Sequence, residues 1–168
     1  MPILVANKWR VLVFLLLSFH SFLFAFKSPI PAPFHAFVRT VIDGDTIKVE
    51  HRSELFTIRL AYIDAPELNQ RYGLESRRCL QQLVYRQHVF IRPLYHDRYK
   101  RLVATVELEK NSIDKILIQL GCAWHLYSYS QSDYLELIQS EAKDSKKGLW
   151  SQANPIKPSV FRRLYYYR

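Results

Sequence analysis

Residues 36–63 read AFVRTVIDGDTIKVEHRSELFTIRLAYI, and the architecture of the chain follows from how this stretch is patterned. It divides into three segments, 36–42, 46–50 and 55–63, which are rich in β-branched and aromatic residues and partly alternate between apolar and polar side chains. This composition and a period of two are typical of β-strands. The polar residues 51–54 predict a turn between the second and third strands.

The remainder of the chain adds two strands and three helices. Residues 88–95 and 102–108 return to strand composition, whereas apolar residues recur at spacings of three and four within 74–85, 112–120 and 134–147. That spacing places apolar side chains on one face of a helix. Five short strands with an inserted helix predict a mainly β protein of the α+β class, a five-stranded barrel of the oligonucleotide-binding (OB) type with three helices.

Composition divides the chain into a leader, a spacer, one domain and an extension. Residues 1–26 combine a basic start with an apolar run, the pattern of a secretory signal peptide or a membrane anchor. Three prolines predict a stiff spacer over 27–35, followed by the domain at 36–151 and a C-terminal extension at 152–168. We expect an exported protein, either periplasmic or secreted, or anchored to the cytoplasmic membrane through residues 9–26 with its domain outside.

Charge and composition narrow the classes of function. The chain has 24 Lys and Arg against 15 Asp and Glu, a formal net charge of +9, and 49% of its residues are hydrophobic. These values exclude a disordered tail protein and a collagen-like chain. The positive charge suits nucleic acid or an acidic membrane surface, although a soluble protein that only avoids its isoelectric point has the same balance.

Two features leave alternatives open. Cys79 and Cys122 lie on apolar faces and lack the spacing of a zinc site, which favours buried thiols over a disulfide, although export would favour the bridge. The tail, in which Arg162 and Arg163 precede a run of tyrosines, either contacts nucleic acid or lipid headgroups or forms a loosely packed terminus.

Three polar clusters contain the candidate chemistry: DGDT at 43–46, RLAYIDAPE at 59–67 and DRYKR at 97–101. Taken singly, they are consistent with a turn, a helix start and a solvated basic loop. Together they supply oxygen ligands for a hard cation such as Ca²⁺, a carboxylate that activates water, and arginines that bind a phosphate. These are the parts needed for metal-assisted hydrolysis of a phosphodiester.

The order and spacing of the motifs resemble the staphylococcal nuclease-like (thermonuclease) family across residues 36–151. The matching segments are VIDGDT, RLAYIDAPE, a Tyr-Gly pair before a helix, DRYKR, LIQLGCAW and KKGLW, and AWHLYSYS with the FRR ending resembles the exported bacterial branch. The resemblance implies a Ca²⁺-dependent endonuclease that hydrolyses DNA and RNA, prefers single strands, and leaves 3′-phosphate ends. We expect a monomer.

The resemblance also implies a role for each site residue. Asp45 and Asp64 would bind Ca²⁺ through their side chains, and Ala65 through its backbone carbonyl. Glu67 would orient or deprotonate the attacking water. Asp43 would lie beside the metal ligands, and Arg59 and Arg101 would bind the scissile phosphate and stabilise the transition state.

Four further residues would contact the rest of the substrate. Arg98 and Tyr99 would contact a flanking phosphate, and Tyr127 and Tyr129 would line the nucleotide pocket.

The alternative is a non-catalytic OB-fold module that binds single-stranded nucleic acid. The enzyme is favoured because all the side chains expected for the chemistry are present, namely Asp45, Asp64, Glu67, Arg59 and Arg101. Two departures from the family bear on the rate. Lys100 stands where the family has a glycine, and the loop between Glu67 and Tyr72 is shorter, which is expected to open the cleft.

Overall fold

The computed structural model describes residues 29–166; the predicted leader, with its membrane contact, and the last two residues lie outside the described residues. The elements in chain order are β1 (Phe34–Val41), β2 (Thr46–His51), β3 (Glu54–Leu60), β4 (Ile63–Asp64), α1 (Gly73–Val84), β5 (His88–His96), β6 (Leu102–Leu108), β7 (Asn111–Ser112), α2 (Ile113–Gln119), β8 (Trp124–His125), α3 (Tyr127–Ser130), α4 (Asp133–Asp144), a 3₁₀-helix (Gly148–Ser151) and α5 (Pro158–Tyr165). The start of β1 overlaps the predicted spacer. Within residues 29–166, no helix is long and apolar enough to cross a membrane.

Five of the strands close into a barrel. β1 pairs in antiparallel fashion with β2 and with β5, β2 pairs with β3, and β5 pairs with β6. A parallel pairing of β3 with β6, which places Ile58 beside Leu102, closes the cylinder. The predicted α+β class and five-stranded OB-type barrel are confirmed, and α1, α2 and α4 are the three predicted helices. The structure adds two further helices, α3 and α5, that the sequence pattern did not predict.

Apolar side chains that alternate along the strands fill the barrel. Val38 on β1, Ile47 on β2 and Ile91 on β5 have no exposed surface. α1 and α2 add Leu80 and Leu117 to the same cluster. Burying one side chain of this size contributes about 1.5–3 kcal/mol. The barrel is therefore a rigid support for the loops that leave its strands.

The third predicted strand, residues 55–63, is interrupted in the structure. β3 ends at Leu60, and Tyr62 adopts a left-handed backbone with a φ of 62°. The chain then forms β4, in which Ile63 pairs with His125 of β8. A left-handed backbone costs a residue with a side chain about 1–2 kcal/mol, so alternation alone gives no reason to expect it. This turn moves the chain out of the barrel sheet and into the small β4–β8 sheet.

The two cysteines form a disulfide between α1 and the segment that follows α2. The preference for buried thiols is therefore wrong. The hydroxyl of Ser76, about one turn before Cys79 in α1, also donates a hydrogen bond to the Cys122 carbonyl over 2.6 Å. The cysteines are 43 positions apart in the sequence, and only the packing of α1 brings them together.

The described part of the C-terminal extension is folded onto the domain. α5 begins with Pro158, a residue whose fixed φ suits the first turn of a helix. Phe161 in its middle is 9% exposed. A loosely packed terminus is therefore not what these residues form, and the expected contact with nucleic acid or lipid stays a prediction.

Candidate active site

The turn between β1 and β2 presents two interacting carboxylates. Asp45 is 6% exposed, and its Oδ2 accepts a hydrogen bond from the Ala65 backbone N–H over 2.7 Å. Close packing requires Gly44, since a Cβ there would lie 2.1 Å from the Ser76 hydroxyl in α1. Asp43 Oδ1 accepts a hydrogen bond from the Asp45 N–H over 3.0 Å. Burial, and then the charge of Asp45, raises the pKa of Asp43 to about 6.

Arg59, near the end of β3, is fixed between the two buried aspartates. Its Nε lies 3.1 Å from Asp45 Oδ1, and its Nη2 lies 3.3 Å from Asp64 Oδ1. The guanidinium also donates hydrogen bonds to the backbone carbonyls of Leu60 and Ile63. Arginine suits this position because its planar fork can donate to several acceptors at once.

Besides Arg59, Asp64 binds a second arginine, Arg162 of α5, a contact that the sequence did not predict. Arg162 Nη1 and Nη2 lie 3.1 and 3.0 Å from the two Asp64 carboxylate oxygens, and Nη1 lies 2.6 Å from Glu67 Oε1. The FRR ending of the sequence showed that arginines are present there, but 98 positions separate Arg162 from Asp64, so the sequence did not indicate that the two side chains meet. Charges therefore alternate across the site in the order Asp45, Arg59, Asp64, Arg162, Glu67.

These contacts have consequences for the protonation of both partners. Burial raises the pKa of Asp64, and the hydrogen bonds from Arg162 oppose that rise. Burial also opposes the charged form of Arg162, but its hydrogen bonds to Asp64 and Glu67 raise its pKa above the ordinary value. Arg162 is therefore a permanent positive charge inside the site.

The turn that follows Glu67 sets its position. Its backbone N–H donates to Gln70 Oε1 over 3.2 Å, and its carbonyl accepts a hydrogen bond from the Gln70 N–H over 2.8 Å. Gly73 packs against the same carbonyl, because a Cβ at that position would lie 1.9 Å from the oxygen. The Glu67 side chain is 27% exposed, so water can reach it.

The short loop after Glu67 contacts the C-terminal segment at two points. Gln70 Nε2 donates a hydrogen bond to the Ile156 carbonyl, and the Tyr166 hydroxyl donates to Asn69 Oδ1, both over 2.6 Å. The C-terminal segment is thus anchored to the loop, and the expected effect of the loop's length on the cleft stays a prediction.

The loop between β5 and β6 holds a second group of predicted site residues. Asp97 accepts hydrogen bonds from the backbone N–H groups of Tyr99 and Arg101 and from Arg101 Nε, the last over 2.7 Å. Although burial opposes the change, the hydrogen bonds from Arg101 lower the pKa of Asp97. The guanidinium carbons of Arg98 and Arg101 lie 4.8 and 5.4 Å from the centre of the Tyr99 ring. These residues contact one another, and their contacts with substrate phosphates stay predictions.

Lys100 in this loop adopts a left-handed backbone with a φ of 62°, which explains why glycine suits the position. We expect Lys100→Gly to raise the free energy of unfolding by about 1 kcal/mol, because the penalty of about 1–2 kcal/mol for a side chain there exceeds the added flexibility of an unfolded glycine. Urea unfolding measures the change. Lys48→Gly, at an exposed position within β2, is the control and should lower stability. A loss of stability in Lys100→Gly would contradict this account.

The two tyrosines predicted to line the nucleotide pocket are exposed on α3. Burial and then the nearby Tyr129 raise the pKa of Tyr95, whereas Arg59 acts to lower it. The Tyr127 ring meets His125 edge-on at 5.9 Å, and its role in binding a nucleotide stays a prediction.

The metal donors implied by the resemblance are all oxygens. Within residues 29–166, no three His, Cys, Asp or Glu side chains converge as a ready-made metal site. The proposed set is two carboxylates, from Asp45 and Asp64, with the carbonyl of Ala65, whose N–H binds Asp45. Carboxylate and carbonyl oxygens are the donors that hard cations such as Ca²⁺ prefer. The chemistry of these donors fits such a cation.

Comparisons with known proteins point in the same direction. Residues 57–152 match the model of the family described as staphylococcal nuclease homologue. The chain is 36% identical over 142 residues to an uncharacterized endonuclease of Escherichia coli O157:H7, which covers 83% of this chain and 93% of that protein. It is 36% identical over 124 residues to an uncharacterized endonuclease of Haemophilus influenzae, covering 73% and 70% of the two chains. It is 33% identical over 146 residues to a micrococcal nuclease of Shigella flexneri, covering 80% and 84%. The chain therefore belongs to the staphylococcal nuclease family and is a nuclease, a hydrolase of nucleic acids.

Proposed function

We propose that the protein is a Ca²⁺-dependent endonuclease that cleaves DNA and RNA, prefers single strands, and leaves 3′-phosphate ends. The observation that carries the proposal is the buried Asp45–Arg59–Asp64 arrangement with Glu67 beside it. In a barrel that only binds nucleic acid, affinity comes from positive charge and stacked aromatic rings, and buried aspartates around an arginine contribute to neither.

Asp45, Asp64 and the Ala65 carbonyl are the groups that would hold the cation. Bound Ca²⁺ would supply Lewis-acid stabilisation of the negative charge on the phosphate. The hydrogen bond from Ala65 to Asp45 keeps the two segments together before any ligand arrives. Part of the entropy loss that comes with ordering the site therefore occurs during folding and not when the ligand binds.

Glu67 and the arginines perform the rest of the reaction in this proposal. Glu67 accepts a proton from the water that attacks phosphorus, and the bond from phosphorus to the 5′-oxygen breaks, which leaves the phosphate on the 3′ side. The 5′-oxygen departs as a hydroxyl after taking up a proton. Arg59 and Arg101 bind the phosphate oxygens as negative charge grows in the transition state.

The remaining residues would place the substrate. Arg98 and Tyr99 would contact a flanking phosphate, and Tyr127 and Tyr129 would stack on the bases, as exposed aromatic side chains do in single-strand binders. Asp43 would stay beside the metal ligands and reinforce their negative charge.

We further propose that the domain works outside the cytoplasm, as a monomer, either released or held at the membrane through residues 9–26. The basic and apolar leader supports export. The Cys79–Cys122 disulfide also supports export, because disulfides persist in oxidising compartments.

Cleavage of single-stranded DNA and RNA, with CaCl₂ or with a chelator, tests the proposal. We expect cleavage only with Ca²⁺, and a fall in kcat of about 100-fold in Glu67→Gln because the proton acceptor is lost. Glu75→Gln, an exposed change in α1, is the matched control and should keep full activity. Binding without cleavage under any divalent cation would instead establish the non-catalytic module.

A further inference from the structure

Both ends of α5 are held against the turn formed by residues 66–70. The Ile156 carbonyl, just before α5, accepts the hydrogen bond from Gln70, which is 8% exposed. The Tyr166 hydroxyl, just after α5, donates to Asn69. The matched family region ends at residue 152, so α5 lies beyond it. A helix outside that region is thus fastened to the turn that carries the proposed proton acceptor.

Arg162 is the side chain through which α5 enters the site. Its two terminal nitrogens bind both oxygens of Asp64, and one of them also binds Glu67. A single rigid guanidinium thereby fixes the two carboxylates relative to each other. Asp64 is 2% exposed, so its orientation is already determined by its surroundings. Glu67 is more exposed, and the ion pair is what restrains its side chain on that side.

The charges favour a role for Arg162 in the working site. Without it, the guanidinium of Arg59 would still join Asp45 and Asp64, but Glu67 would lose its ion pair. An arginine bound to both carboxylates holds them in place relative to each other.

We propose that Arg162 is a positioning residue that holds the Glu67 carboxylate at a fixed place beside Asp64, so that α5 is part of the catalytic unit. This inference rests on the proposed role of Glu67. A proton acceptor must lie within hydrogen-bond reach of its water, and a misplacement of about 1 Å costs roughly 100-fold in rate. Loss of Arg162 should therefore act on turnover.

The first experiment compares Arg162→Ala and Arg162→Met with wild type in the full chain, on single-stranded DNA with CaCl₂. We expect kcat to fall roughly 10- to 100-fold in both variants, with KM within about threefold of wild type. Arg162→Met keeps the apolar stem, and hydrogen exchange of the α5 amides shows whether the helix stays docked. Arg78→Ala, at an exposed arginine of α1 that has no proposed role in the site, is the control and should be unchanged.

A double-mutant cycle with Glu67→Gln tests whether Arg162 acts through Glu67. If it does, Arg162→Met should cause no further loss of kcat in the Glu67→Gln background. The inference is overturned if Arg162→Met with α5 still docked is as active as wild type or more active, which would make the ion pair a resting contact that substrate or metal breaks. A tenfold rise in the Kd for single-stranded DNA in the presence of chelator would also overturn it, by making Arg162 a substrate contact. If Glu67→Gln itself kept full activity, the proposed function would fail first.

Discussion

Replacing Arg59 with lysine is expected to lower kcat about 1,000-fold. The guanidinium makes contacts that lysine cannot reproduce, since Nε reaches Asp45 while Nη2 reaches both Asp64 and the Ile63 carbonyl. An ammonium keeps the positive charge but has a single nitrogen, which cannot lie within hydrogen-bond distance of all these acceptors. The variant would lose both the alignment of the aspartates and the planar fork that we propose binds the phosphate.

The measurement is steady-state hydrolysis of single-stranded DNA, with the folded state of each variant checked by circular dichroism. Arg92→Lys is the matched control, because Arg92 is an arginine of the same barrel, 53% exposed and paired with Glu107. It should retain full activity, since exposed ion pairs contribute little. Near wild-type rates in both Arg59→Lys and Arg101→Lys would contradict the assignment of these arginines to the scissile phosphate.

The barrel and the first half of the site could be predicted because their signals are local. Alternation along each strand identified the five barrel strands, and α1, α2 and α4 showed the helical period. Asp45, Arg59 and Asp64 lie in two short motifs on neighbouring segments, so one turn between β1 and β2 and one after β3 bring them together. Residues that share a local motif need little more than the correct strand pairing to meet.

The rest of the site depends on contacts between distant parts of the chain. Tyr62 breaks the predicted third strand through a backbone conformation that its side chain disfavours. α5 has a helix-start proline and one buried aromatic residue, but its short length gives a weak periodic signal. The ion pair of Arg162 with Glu67 spans 95 positions, and nothing in the charge of a tail specifies which carboxylate it will meet.

The double variant Cys79→Ser/Cys122→Ser is expected to lower the free energy of unfolding by about 4 kcal/mol. The disulfide closes a loop across 43 positions, and its loss lets the unfolded chain sample many more conformations. A domain of this size has about 5–15 kcal/mol of stability in total, so the loss is a large fraction of it. Chemical unfolding with and without a reductant measures the effect.

The folded state itself should change little, so the loss of stability should come mainly from the unfolded state. α1 remains joined to Cys122 through the Ser76 hydroxyl, and that hydrogen bond does not involve the sulfur atoms. The native barrel and the nuclease activity at low temperature should therefore survive, while the unfolding midpoint falls. Reductant should destabilise the wild type by the same amount and leave the double variant unaffected. A loss below about 1 kcal/mol would mean that the unfolded chain stays compact around these segments without the bridge, so that the disulfide restricts it little.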